Sequence, residues 1–120
     1  MDLDTLRRVV ENEIENYRYN PSTNMVGTAW DEERVCAELA AMKAALVAPY
    51  WTDVELRDTH QQITATPALS RRCAVVADDL NGMLLVFDPV ESEFMLAMRL
   101  KDELLTIGVR GDVVGCFMAR

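Results

Sequence analysis

Apolar residues recur at two different periods along this chain, and the change of period divides it into a helical and a strand-rich part. From Leu3 to Tyr17 the apolar positions Leu3, Leu6, Val10, Ile14 and Tyr17 are spaced by three and four, which puts them on one face of a helix spanning 3–18. Glu11, Glu13 and Glu15 fall mostly off that face. Asp2 or Asp4 suits the start, where a side-chain oxygen can accept from free backbone N–H groups. Asn20-Pro21-Ser22 ends the helix, because proline cannot continue it. A polar loop over 19–29 leads to a second helix over 29–48, with Val35, Leu39, Met42 and Leu46 as its stripe. Thr28-Ala29-Trp30-Asp31 has the form of a capping box, and Asp31-Glu32-Glu33 crowd the first turn, where negative charge is favourable. Ala37, Ala40, Ala41, Ala44 and Ala45 raise helix propensity and allow close packing. Pro49 stops this helix.

The period then shortens to two. Trp51–Arg57 alternates Trp51, Asp53 and Glu55 against Thr52, Val54 and Leu56, a strand with Trp51 on the polar side. Residues 58–70 are ambiguous: His60–Thr66 suits a strand, and Pro67–Ser70 a turn. Cys73–Asp78 and Met83–Asp88 flank Asp79-Leu80-Asn81-Gly82, and Asn-Gly between apolar runs is a strong hairpin signal. Both runs are apolar at nearly every position, which predicts cover on both faces. Glu93–Leu100 is a third strand of this meander. Leu104–Val109 and Asp112–Ala119 read as a further pair turning at Arg110-Gly111, although 101–106 also suits a short helix. The expected fold is α+β: two N-terminal helices packed on a curved antiparallel sheet of four to six strands.

Length and charge narrow the function classes. A chain of 120 residues fits one domain, 1–120, large enough to fold without metal or disulfides. The net charge is −8, and residues 1–60 hold 12 acids against 6 bases, so the helical half carries most of the negative field. No basic stripe exists to neutralise phosphates, which argues against nucleic acid, and the same field repels an anionic membrane. The expected partner is a protein with a basic surface. Met1–Arg8 lacks a signal-peptide pattern, no run approaches a membrane span, and Cys36, Cys73 and Cys116 form no CxxC pair. These features predict a cytoplasmic protein.

Motifs for chemistry are sparse. The single histidine, His60, would have to serve any hydrolytic triad with Ser70 or Cys73, and no nucleophile motif surrounds either. One histidine and three scattered cysteines make no zinc spacing, and Asp78-Asp79-Leu80-Asn81-Gly82 lacks the alternating acids of a calcium loop. Phosphate-binding glycine motifs are absent. The expectation is therefore no cofactor, no metal and no catalytic residue. Arg110-Gly111-Asp112 and Lys101-Asp102-Glu103-Leu104 match an adhesion tripeptide and a retention signal, but a turn explains the first and the second is internal. The binding candidates are Tyr50 and Trp51 as an aromatic anchor beside Asp53, then His60, the basic pair Arg71 and Arg72, and the acidic tip Asp78 and Asp79.

The segment Ala77–Asp88 resembles the turn-and-strand segment of the SMI1/KNR4-type immunity superfamily over about a tenth of the chain, without that family's earlier glycine-containing signature. The strong negative charge, the single-domain size and the lack of a catalytic constellation point to a protein-binding module, an inhibitor, immunity or chaperone-like protein. The alternative rests on fold analogy. Helices followed by a long meander are similar to the cone-shaped NTF2-like group, in which a bent sheet encloses a ligand pocket; Tyr50, Trp51, Asp53, His60 and Asp78 would line it. A homodimer is compatible with either, through Val113–Ala119 as an exposed sheet edge or through the alanine face of the second helix.

Overall fold

The computed structural model describes residues 2–18 and 31–120. In chain order the elements are α1 (Leu3–Glu15), α2 (Glu32–Ala45), β1 (Leu46–Glu55), α3 (His60–Thr64), β2 (Ser70–Asp78), β3 (Met83–Asp88), β4 (Glu93–Leu100), β5 (Glu103–Gly111) and α4 (Val113–Met118). The fold is α+β, with α1 and α2 packed on a five-stranded, strongly curved sheet. Consecutive strands pair antiparallel, and the sheet closes on itself in the order β1-β2-β3-β4-β5. Five is odd, so an up-and-down meander brings its first and last strands together pointing the same way. The closing contact is accordingly parallel, with Glu55 opposite Leu105.

Alternation along the strands builds two apolar layers. Val54, Cys73, Val75, Leu84, Val86, Met95, Ala97 and Leu104 turn inward and fill the barrel, each 8% exposed or less. Their neighbours Ala74, Val76, Leu85, Phe87, Phe94 and Leu96 turn outward and meet Leu6, Val10 and Ile14 of α1, Met42 and Ala45 of α2, and Val113, Val114, Cys116 and Phe117 of α4. Both faces of β2 and β3 are covered, as their unbroken apolar runs required. No helix among the described residues is long and apolar enough to cross a membrane.

The helices start where side-chain oxygens cap them. Asp2 accepts from Thr5 N at 2.7 Å, and Asp31 accepts from Arg34 N at 2.7 Å. Asp31 is thus itself the cap, so α2 begins later than the predicted 29; Thr28 and Trp30, together with the 19–29 loop, lie outside the described residues. The far end of α2 also differs from the expected 48. The chain turns extended at Leu46, and Pro49 sits inside β1 near a shift of register between Leu46 and Tyr50. Proline has no N–H to donate, and a bulge is one place a strand tolerates it. The irregularity also accounts for Trp51. Leu46 and Trp51, five apart, both pack against the helix-facing core, whereas Val47 and Val54 belong to the interior. Trp51 shares a face with Asp53 and Glu55, but that face is covered by the start of α1 near Trp51 and open further along.

Three further expectations are corrected. His60–Thr64 is a short helix and not a strand, begun by Thr59, whose Oγ1 accepts from Gln62 N while Gln62 Oε1 accepts from Thr59 N. Residues 101–102 form the β4–β5 turn, with Lys101 at φ 58°, and not the start of a helix. The stretch 112–119 is not a strand, and Arg110-Gly111 is not a turn: β5 runs through both to Gly111, then Asp112 caps α4 by accepting from Gly115 N at 3.0 Å. Val113, Val114, Cys116 and Phe117 are 1–2% exposed against the outer face of the sheet. The proposed sheet edge for a dimer therefore does not exist; that segment is a buried helix beside a closed barrel.

Candidate functional site

The eight residues singled out from the sequence are dispersed. Tyr50, Trp51 and Asp53 lie on β1, Arg71 and Arg72 on β2, and His60 opens α3; Asp78 ends β2, and Asp79 follows it in the hairpin. The register sets Asp53 opposite Arg72, and their charges stand 3.8 Å apart on the surface. Trp51, Asp53 and Asp78 line three separate surface grooves, and the interior that a cone-shaped fold would leave open is occupied by the barrel's own side chains. His60 is exposed, its carbonyl accepting from Thr64 Oγ1. Cys73 is fully buried. Burial, with Asp88 nearby, pushes its thiol up to about 11, so at neutral pH it is protonated and no nucleophile. Cys116 is likewise pushed up to about 11 by burial, and its Sγ lies 3.5 Å from the carbonyl oxygen of Phe94. All three cysteines are free, and among the described residues no cluster of three His, Cys, Asp or Glu side chains is placed to hold a metal ion.

One charged cluster does converge, and most of its members went unnoticed in the sequence. Asp88, at the end of β3, is 0% exposed. Its Oδ2 accepts from Arg71 Nη1 at 2.6 Å and Arg110 Nη1 at 3.1 Å, while Oδ1 accepts from the backbone N–H groups of Val90 and Glu91. Arg110 also donates to Glu93 Oε1 at 2.9 Å and, through Nε, to Asp58 Oδ2 at 2.7 Å. Asp58 Oδ1 accepts from Gly108 N, and Thr106 Oγ1 accepts from Arg57 N at 2.6 Å. The loop after β1 is thereby stitched to β5, and the cluster fastens the barrel beside its short parallel seam. Burial alone would raise the Asp88 carboxyl, but hydrogen bonds from Arg71, Val90, Arg110 and Glu91 outweigh it and hold the group below the usual aspartate value. Burial alone would also lower Arg110, yet its bonds to Asp58, Glu93 and Asp88 hold its proton more firmly than in free arginine. With every buried polar side-chain atom among the described residues satisfied, this cluster has the chemistry of a fastener.

A different cluster faces solvent. Where β1 and β5 meet, Asp53, Glu55, Asp102 and Glu103 line one groove with Thr52, Ser70 and Leu104. Glu55 pairs with Arg57 at 3.0 Å and Asp53 loosely with Arg72; Asp102 and Glu103 have no ion-pair partner among the described residues. Asp53 and Glu55 were legible as one strand face, but their approach to Asp102 and Glu103 depends on barrel closure.

No protein-family model, curated protein sequence or solved structure matches the chain. The likeness of Ala77–Asp88 to the SMI1/KNR4-type superfamily therefore rests on that segment alone.

Proposed function

We propose that this is an acidic protein-binding module, an inhibitor, immunity or chaperone-like protein, working in the cytoplasm on a partner with a basic surface. The carrying observation is the groove at the β1–β5 seam, where four carboxylates from two distant segments gather on a chain of net charge −8. Like charges brought together in the open raise the local negative potential, which speeds encounter with a basic partner and selects against an acidic one. The free cysteines suit a reducing compartment.

Native mass spectrometry of the protein gently purified from its host identifies the partner, whose affinity is then measured at low and high salt. The expected result is a co-purifying basic polypeptide whose affinity falls at least about tenfold between the two salts. A double reversal, Asp102→Lys with Glu103→Lys, removes most of that salt dependence. Affinity indifferent to salt and to the reversal rejects the mechanism; a retained small molecule in place of a polypeptide moves the function to ligand binding.

A further inference from the structure

The β2–β3 hairpin tip breaks two rules at one residue. Leu80 is 90% exposed, the most exposed large apolar side chain among the described residues, and it holds φ at 58°. That left-handed conformation disfavours residues with a Cβ, and asparagine tolerates it best among them. Asn81 stands next in the chain without occupying it, and the Asn-Gly signal places its positive φ on Leu80 and Gly82. The other positive-φ residues besides glycine, Ser92 and Lys101, are polar, as solvent-facing turns favour. The tip is also locked. Asp78 Oδ1 accepts from Leu80 N at 2.8 Å, and Asp79 Oδ1 accepts from Asn81 N at 2.8 Å and Met83 N at 3.0 Å. An apolar side chain is thus held rigidly in water at a strained position, which spends stability without improving the fold.

Leu80 is itself one wall of a groove of about 390 Å³ between α2, α4 and the tip, whose other apolar lining is Ala41, Ala44 and Ala45 with the nearly buried Phe117. Arg120 lies over the Phe117 ring, 4.2 Å from its centre. The pairing of Met83 with Met98, and the bond from Arg99 N to the Gly82 carbonyl, bring exposed Met98 and Leu100 of β4 alongside the tip. The charges here are mixed. Asp78 faces Arg99 at 3.5 Å, and Arg120 faces Glu38 at 3.2 Å and Asp79 at 3.9 Å. A strongly acidic chain meets its own copy with less repulsion where arginines offset its acids, and here Arg99 and Arg120 offset two of the three carboxylates.

We infer that the tip and its groove form a self-complementary surface at which two copies pair about a two-fold axis, the Leu80 of each entering the groove of the other. A knob and a hole side by side on one surface are what such an isologous contact requires. The surface differs from the seam groove, and it responds to salt in the opposite direction. Screening weakens capture of a basic partner but strengthens pairing of two chains of like net charge.

Sedimentation velocity over a concentration series, at low and high salt, tests this on the full chain. The wild type is expected to dimerise, more tightly at high salt. Leu80→Asn weakens the dimer by about a hundredfold or more, two buried leucines being lost from each interface, while the melting temperature, compared at a concentration too low for pairing, stays level or rises. Ala44→Glu, at an exposed position of α2, breaks the dimer from the groove side. A wild type monomeric throughout the series, or a dimer unchanged by either substitution, overturns the inference, and neither result bears on the seam groove.

Discussion

The turns at the two ends of β3 start from the same local chemistry and serve opposite purposes. Each follows an apolar strand, and each uses aspartate carboxylates to take up backbone N–H groups: Asp78 and Asp79 before β3, Asp88 after it. They differ in the second carboxylate oxygen. That of Asp88 lies 2.6 Å from Arg71 and 3.1 Å from Arg110 and is sealed from water. Those of Asp78 and Asp79 reach arginines only at 3.5 and 3.9 Å. One turn is drawn into the fold and closes it; the other is rigid but held out, with leucine at its tip. The turn motif sets local geometry alone, and the strands around it decide whether it seals or presents.

The strongest way to break this contrast is to neutralise the sealed turn. Asp88→Asn takes from Arg71 its ion-pair partner while Arg110 keeps Asp58 and Glu93, and it is expected to cost about 3 kcal/mol in urea unfolding, a large part of a small domain's margin. Asp53→Asn, which disrupts the exposed pair with Arg72, should stay within about 0.5 kcal/mol. Equal losses from the two would mean that the Asp88 cluster does not fasten the barrel.

Acid gives a graded version of the same test. The folded-state pKa of Asp88 lies below the unfolded one, so its contribution is complete above the unfolded value, about pH 4, and is lost as pH falls through the folded value. Urea midpoints should therefore drop steeply below about pH 4 in the wild type and less steeply in Asp88→Asn. Parallel acid limbs would assign the acid sensitivity to other carboxylates.

A smaller effect than that of Asp88 sharpens the comparison with a fourth aspartate. Asp112 takes a backbone N–H as the turn aspartates do, but to start a helix. A Cβ at position 115 would sit 2.6 Å from Asp112 Oδ1, so only glycine there lets the cap form undisturbed. Gly115→Ala should cost about 1 kcal/mol, the usual worth of such a cap, despite alanine's better helix propensity; a more stable variant would show that the cap contributes little.

Much of the fold was legible because it depends on neighbours in sequence. The three-and-four spacing from Leu3 to Ile14 gives α1, and the two unbroken apolar runs about Asn81-Gly82 give a hairpin covered on both sides. The capping box that starts α3 was also present, as Thr59 and Gln62, and went unread beside the β-branched residues that follow. Asp112–Ala119 misled for the same reason. Its valines and phenylalanine favour a strand locally, but the outer face of β4 needed cover, and burying Phe117 and its neighbours there outweighs propensity.

By itself, then, the sequence determined the first two helices, the hairpin and third strand of the meander, and the acidic charge, since periodicity, turn chemistry and charge are properties of short segments. Only the tertiary structure decided that the sheet closes, that α4 lies on it, and that Asp58, Asp88, Glu93, Arg71 and Arg110 meet. The hydrogen-bonded pairs of that cluster are 17 to 52 positions apart, and no spacing rule acts over such distances. Closure of five strands brings them within 3.1 Å of their partners, and once they are out of water each charge has to find its opposite.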